Sequence, residues 1–215
     1  KYAVRRQEET IYYKRLRMAN PEMSRFKDLI LYNLEAGEAV LTDNNDIRVY
    51  TDGKEKFRAL IEEMKQAKRY IHMQYYIIRN DELWQEVEKV LIQKAREGVE
   101  VRVLFDSMGC RTMKNRDWER LEKEGIQVAE FFPALLGQLQ LRVNYRNHRK
   151  IVVIDGRVGF VGGFNVGREY LGRDKKFGYW RDTHIRIRGG AVLDLNGVFL
   201  MDWRFASKEN TELRN

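Results

Sequence analysis

The feature that most constrains how this chain folds is a short apolar run, Ile151 to Ile154, followed at once by Asp155-Gly156. The run predicts a buried strand, and the Asp-Gly pair predicts a two-residue hairpin turn. Val158 to Asn165 is then the returning strand. With a turn of this length Ile154 pairs with Arg157, and that register decides which residues of the two strands face each other.

Polar residues with matching spacing lie on both strands of this hairpin. Side chains two residues apart share a strand face, so His148 and Lys150 point the same way. The predicted register sets Gly163 opposite His148 and places Asn165 diagonally on the same face, about 7–8 Å away. A neutral imidazole can attack phosphorus to form a phosphohistidine, while Lys150 and Asn165 hold the non-bridging oxygens. Arg146 shares this face, where it either adds a contact to the phosphate or is an exposed residue at the strand end.

The spacing resembles the H-x-K-x4-D-x6-G-S-x-N motif of the phospholipase D superfamily, called here the HKD motif. It matches every fixed position except Ser, which is Gly163. The flanking residues look like those of bacterial cardiolipin synthase, in its first HKD half, where this glycine is familiar. Gln74 stands where relatives often carry Glu. The similar segments, which together run over most of the chain, are 51–54, 70–76, 145–150, 162–172 and 180–184.

The resemblance also implies roles for residues outside the hairpin strands. Similar enzymes place a carboxylate downstream of the asparagine, where it orients the nucleophilic histidine; Asp182 is the candidate here, and Glu169 is the alternative. Asp155 belongs to the motif, yet its position at the turn favours a structural role over a chemical one. The catalytic candidates are His148, Lys150, Asn165, Asp182 and Asp155, and the substrate-binding candidates are Arg146 and Gly163.

Composition narrows the class of protein and its partners. The chain has 215 residues, 43% of them hydrophobic, which is enough for a packed core. It has no run of about 18 uncharged apolar residues, so we expect no membrane span within it. The net charge of +8 predicts attraction to polyanions, either nucleic acid or an acidic lipid surface. With Cys110 as the only cysteine and no metal-site spacing among three histidines, we expect no metal and no cofactor.

The order of elements predicts the fold class. After a turn-rich break at 43–46, β-type runs alternate with amphipathic helical patterns up to a closing helix at 191–205. This alternation predicts an α/β fold, with a mixed, mainly parallel β-sheet flanked by helices on both faces. We expect a basic helical segment over 1–42, a phospholipase D-like domain with one HKD motif over 43–207, and a polar tail over 208–215.

The resemblance implies a transphosphatidylation, in which a phosphatidyl group passes between two phosphatidylglycerol molecules and glycerol leaves. Such chemistry needs an acid and base beyond the nucleophile, so a second HKD half is implied, from missing chain or from another copy. The implied location is the cytoplasmic face of the cell membrane. Two alternatives stay open: a homodimeric phosphodiesterase or nuclease, although nucleic acid is the less expected partner, and a non-catalytic half that binds anionic lipid.

Overall fold

The computed structural model describes residues 25–37, 39–42, 44–132 and 146–208. Most of the basic segment expected over 1–42 and nearly all of the polar tail therefore lie outside the described residues. The chain divides into two compact units, Lys1–Asn45 and Asp46–Asn215. In the first unit the structure describes one α-helix, α1, over Lys27–Gly37.

The second unit carries the hairpin and the rest of the motif. Its strands are β1 (Asp46–Asp52), β2 (Tyr70–Tyr75), β3 (Glu100–Asp106), β4 (Gln127–Phe131), β5 (Ile151–Ile154), β6 (Val158–Gly162) and β7 (Arg181–Arg188). Its helices are α2 (Gly53–Lys65), α3 (Glu82–Arg96), α4 (Asn115–Lys123), α5 (Ala191–Ser207) and a 3-10 turn at Arg168–Leu171.

The described strands form a single seven-stranded sheet in the order β1-β7-β6-β5-β2-β3-β4. The expected mixed sheet is confirmed, but the expectation that it is mainly parallel is wrong: β3 pairs in parallel with β2 and β4, and the other four pairings are antiparallel. The strands joined by helices do run in one direction, as the alternation predicts. However, β5, β6 and β7 enter the sheet between β1 and β2, so β1 has no parallel neighbour.

Helices cover both faces of this sheet, as predicted. On one face, apolar residues of α2, α3 and α4 join the main core with Val152 and Ile154. On the other face, α5 packs on the sheet, and Ile151 and Val153 join Val192 of that helix. β5 is buried on both faces, and its four residues are all apolar. It is the middle strand of the seven, so the residues just before it lie near the middle of one end of the sheet.

The hairpin turn is one residue longer than predicted. Ile154 pairs with Val158 instead of Arg157, so the turn spans 155–157. Asp155 takes a left-handed conformation with a φ of 54°, and the amide of Arg157 donates to the carbonyl of Ile154 at 3.0 Å. The predicted pairing of His148 with Gly163 therefore fails, because the register moves by one residue and the ladder ends before either residue.

Candidate active site

The candidate site lies at one end of the sheet, where the ladders stop. The last pairs on this side join Gln74 of β2 to Ile151 of β5, and Gly162 of β6 to His184 of β7. At this end β2, β3 and β6 finish while β5 and β7 begin. The topology thus brings together segments that are far apart in the sequence.

His148 and Lys150 are in direct contact there. The Nζ of Lys150 donates to the backbone carbonyl of His148 at 2.6 Å and lies 2.9 Å from the Nδ1 of its imidazole. The ring of Tyr76 packs at a tilt against the same imidazole, with 4.6 Å between ring centroids. Lys150 is buried while His148 is exposed, so the imidazole is open to a ligand and the cation lies behind it.

Burial and charge shift both ionisations. Burial lowers the pKa of His148, the nearby charge of Lys150 lowers it further, and the carboxylate of Asp106 opposes them. Burial also lowers the pKa of Lys150, to about 8, with Asp182 opposing the shift. At neutral pH the imidazole is therefore neutral and most of the lysine is charged, which are the states that a nucleophile and a phosphate ligand require.

Asp182 lies at the start of β7, over the backbone of Gly163. A Cβ built on Gly163 would collide with the carboxylate of Asp182, so a serine at this position would need that carboxylate to move. This contact gives a physical reason for the glycine that departs from the motif. One oxygen of Asp182 accepts from the amide of Thr183 at 2.7 Å.

The expected contact between Asp182 and His148 is absent within the described residues. The Nδ1 of His148 meets Lys150 instead. Glu169, the alternative carboxylate, also lies elsewhere: its side chain accepts from the Nε of Arg79 at 3.2 Å. The structure thus brings Asp182 near Lys150 and Gly163, and leaves Glu169, which is part of the 3-10 turn, in an ion pair with Arg79.

Asn165 is buried, and both ends of its amide already have protein partners. Its Oδ1 accepts from the amide of Ile77 at 3.0 Å, and its Nδ2 donates to the hydroxyl of Tyr170 at 3.0 Å. Because Nδ2 carries two hydrogens, one is left after this bond. Asn165 fixes the backbone next to Tyr76, which in turn contacts His148.

Asp155 is at the opposite end of β5 from His148. Its carboxylate accepts three backbone amides: Oδ1 from Arg69 at 2.7 Å and Tyr70 at 3.0 Å, and Oδ2 from Lys68 at 2.9 Å. These bonds tie the hairpin turn to the start of β2. The geometry supports a structural role for this member of the motif.

Three residues near His148 were missed from the sequence. Tyr76 packs on the ring of His148, and Asp106 lies close enough to raise the pKa of that imidazole. Asp202 of α5 binds the two residues that flank His148 in the sequence. Asp106 also lies 3.8 Å from Nη1 of Arg146, the candidate phosphate ligand. A polar residue directly after the apolar run of β3 was a signal for Asp106, whereas nothing in the sequence of α5 distinguishes Asp202.

A fold similar to this one occurs in a solved structure, Nuc from Salmonella typhimurium, described as a phospholipase D family member. The TM-score is 0.55 at 16% sequence identity, and the match covers 80% of this chain and all of that one. At this identity the likeness concerns the fold alone. The structural comparison therefore identifies the fold, and the His148–Lys150 pair lies at one end of its sheet.

The sequence comparisons are more specific. A family model described as the phospholipase D-like domain of cardiolipin synthase matches residues 60–178. The chain is 51% identical over 185 residues to the major cardiolipin synthase ClsA of Bacillus subtilis, and 49% identical over 189 residues to a cardiolipin synthase of Oceanobacillus iheyensis. The chain belongs to the cardiolipin synthase family of phospholipase D-like domains.

The chain spans only part of these relatives. The matches cover 86% and 88% of this chain but 38% and 39% of the length of the Bacillus and Oceanobacillus proteins. Among the described residues, every helix is too short or too polar to cross a bilayer.

Proposed function

We propose that these residues form the N-terminal catalytic half of a cardiolipin synthase, which transfers a phosphatidyl group between two phosphatidylglycerol molecules and releases glycerol. The observation that carries the proposal is the contact between an exposed, neutral imidazole and a buried, charged lysine in a chain of this family. The roles of individual residues follow from their geometry.

His148 attacks the phosphorus of the first phosphatidylglycerol through Nε2, because Nδ1 faces Lys150 inside the protein. The P–N bond forms, the P–O bond to glycerol breaks, and a phosphohistidine results. The primary hydroxyl of the second phosphatidylglycerol then attacks phosphorus, forms the new P–O bond and releases His148. Covalent catalysis of this kind divides one displacement into two steps of the same type.

Lys150 must move for the first step. Attack through Nε2 requires the imidazole hydrogen on Nδ1, and a charged lysine can only donate to Nδ1. A bound phosphate supplies oxygens that draw Nζ away, so the cation then stabilises the negative charge of the transition state. Asp182, which lies close to Lys150, is the carboxylate that accepts the hydrogen of Nδ1 once the lysine has moved.

The leaving glycerol alkoxide needs a proton, and the acceptor hydroxyl must lose one. His148 cannot act as this acid and base while it is bonded to phosphorus. We assign the proton transfer to a second HKD half, from a further part of the parent chain or from another copy. Net charge of +8 supports an anionic partner, and a phosphatidylglycerol-containing membrane surface on the cytoplasmic side is the proposed location.

The test compares full-length wild-type protein with His148→Ala and Lys150→Met, using vesicles of phosphatidylglycerol as substrate and cardiolipin and glycerol as measured products. His148→Ala should abolish transfer, and Lys150→Met should reduce kcat by roughly 10²–10³, as for the loss of one oxyanion donor. Lys54→Met, at an exposed position on α2, is the matched control and should retain wild-type turnover.

Wild-type turnover in His148→Ala would contradict the assignment of the nucleophile. The same preparations are also incubated with single- and double-stranded DNA. Cleavage of DNA without cardiolipin formation would favour a nuclease. Binding of phosphatidylglycerol vesicles without turnover by wild type would leave a lipid-binding half as the function.

A further inference from the structure

The position of His148 is not fixed by the sheet. Residues 146–150 have no regular secondary structure, and the ladder between β2 and β5 begins at Ile151. A phosphoryl-transfer nucleophile must nevertheless be held within a fraction of an ångström of its productive place. Side chains must therefore provide the restraint that strand pairing does not.

Asp202 of α5 binds the residues on both sides of His148. One of its oxygens, Oδ2, accepts from the Nδ2 of Asn147 at 2.8 Å and from Nη1 of Arg149 at 2.7 Å. The other, Oδ1, also accepts from Nη1 of Arg149, at 2.9 Å. A fourth bond comes from the Nε2 of Gln74 at 2.7 Å, which ties the group to the last paired residue of β2.

Asn147 links this carboxylate to a second one. The backbone amide of Asn147 donates to the Oδ2 of Asp106 at 3.2 Å, and the side-chain Oδ1 of Asn147 accepts from the backbone amide of Arg149 at 3.1 Å. Asp106 is completely buried and Asn147 is 6% exposed. The residues on either side of the nucleophile are thus bonded to two carboxylates that belong to other elements: Asn147 to Asp106 of β3 and to Asp202 of α5, and Arg149 to Asp202.

An aspartate at position 202 is unfavourable for stability unless its carboxylate is hydrogen-bonded. Aspartate is among the poorer helix formers, and its side chain here is only 14% exposed, so the charge loses much of its hydration. Four hydrogen bonds from three side chains offset this cost. All three donors lie at the end of the sheet that carries His148, and none belongs to α5.

We propose that Asp202 is a positioning residue for His148: by holding Asn147 and Arg149 against α5, it sets the orientation in which the imidazole meets phosphorus. This inference rests on the proposed function, and it assigns no contact between Asp202 and the substrate. Loss of the carboxylate should therefore impair the chemical step while substrate binding persists.

The experiment measures kcat and KM for phosphatidylglycerol turnover by the full-length protein. Asp202→Ala should lower kcat by about tenfold to a hundredfold with KM within about threefold of wild type, as for a displaced catalytic group. Asn147→Ala should cause a similar loss, and the double variant should lose little more than either one, because the two residues act through one clamp. Asp194→Ala, on the same helix about 12 Å along its axis, is the control and should leave kcat unchanged.

Asp202→Asn keeps the shape of the side chain and one acceptor oxygen, so it folds if the alanine variant does not; it should recover part of the lost kcat. A folded Asp202→Asn or Asp202→Ala protein with wild-type kcat would overturn the proposal, as would a raised KM with unchanged kcat. A loss of equal size in Asp194→Ala would also overturn it. His148→Ala separates the two claims: if that variant still turns over, the proposed function fails, whereas an inactive His148→Ala beside a fully active Asp202→Ala contradicts this inference alone.

Discussion

At the residue scale, the chemistry depends on two neighbouring groups that must be in opposite ionisation states. In the proposed mechanism His148 acts as a nucleophile when it is neutral, and Lys150 binds phosphate when it is charged. Burial lowers both pKa values: the shift of His148 extends the working pH range at its acid end, and the shift of Lys150 shortens the range at its alkaline end. The range lies between the lowered pKa of His148 and the value of about 8 for Lys150.

The pH dependence of kcat/KM follows from these shifts. Activity should rise as the pH passes upward through the pKa of His148, below 6.5, and should fall above about 8, because a lysine loses its charge above its pKa. In Lys150→Arg the alkaline decline should move to higher pH, since a guanidinium stays charged. Rates measured in buffers of constant ionic strength test this, and an identical alkaline limb in both proteins would contradict the role of Lys150.

The carboxylate of Asp155 should increase the free energy of unfolding. Burial raises the pKa of its carboxyl, but the three backbone donors lower it by more, so the folded state favours the ionised form. This contribution is present above the unfolded pKa and is lost as the pH falls through the folded one. Asp155→Asn places an amide hydrogen against a backbone donor and should lower the free energy of unfolding by about 1–3 kcal/mol. Urea denaturation at neutral pH measures the loss.

The control for this prediction is Asp46→Asn, in which the replaced carboxylate is exposed and pairs with Arg186 at the edge of the sheet. Its free energy of unfolding should change by less than about 0.5 kcal/mol. Equal stability of Asp155→Asn and wild type would show that the turn does not need its carboxylate.

Gly163 should not tolerate a side chain. Because a Cβ there would collide with the carboxylate of Asp182, Gly163→Ala must displace that carboxylate from the neighbourhood of Lys150. Turnover of the full-length protein should fall by about tenfold or more. Gly197→Ala is the matched control, since a Cβ on Gly197 meets nothing within 4 Å, and it should keep wild-type activity. Similar rates in both variants would mean that the position of Asp182 is unimportant.

The candidate site could be predicted only where its residues share a local pattern. His148 and Lys150 lie two residues apart before an apolar strand, so their spacing and the resemblance to the HKD motif identified them. Asp202 is more than 50 residues from His148 in the sequence. It reaches the site because α5 packs on the face of the sheet that α2, α3 and α4 do not cover. The sequence pattern of α5 gives no sign of the hydrogen-bond partners of Asp202, because they come from other parts of the chain that only the tertiary fold brings close.

At the element scale, the helix and strand order was predictable and the pairing was not. The predicted alternation of β-type runs and helical patterns after residues 43–46 is present in the structure, because apolar periodicity is a local property. Parallel neighbours were inferred from the alternation of strands and helices. That inference holds for β2, β3 and β4 and fails for β1, since the insertion of β5, β6 and β7 is a non-local event.

Lys56 of α2 is buried, and its Nζ donates to the hydroxyl of Tyr75 of β2 at 2.6 Å. Burial lowers the pKa of this lysine well below 10.5, so the unfolded chain binds a proton that the folded chain releases. Stability should therefore increase as the pH rises toward 10.5, and Lys56→Met should lack this increment. Unfolding free energies measured at about pH 7 and about pH 9 for wild type, Lys56→Met and the exposed control Lys54→Met test it. Parallel changes in all three proteins would contradict the prediction.

At the scale of the whole molecule, we propose that the 215 residues supply a nucleophile and a phosphate ligand, whereas the proposed transfer also requires an acid and a base. The relatives from Bacillus and Oceanobacillus are more than twice as long as the region that they share with this chain. We propose that a second HKD half, from a further part of the parent chain or from another copy, meets this chemical requirement. In the proposed mechanism the phosphatidyl group passes first to His148 and then to the acceptor lipid. The covalent intermediate on His148 is therefore the central claim.

The most direct test of this claim is mass spectrometry of the full-length protein, quenched within its first turnovers of phosphatidylglycerol and digested. We predict a phosphatidyl group on the peptide that contains His148, labile in acid, present in wild type and missing from His148→Ala. After unreacted phosphatidylglycerol is removed, the adduct should disappear when excess glycerol is added as acceptor, with phosphatidylglycerol formed in equal amount. Cardiolipin formation without any adduct on His148, or an adduct on a different residue, would contradict the account.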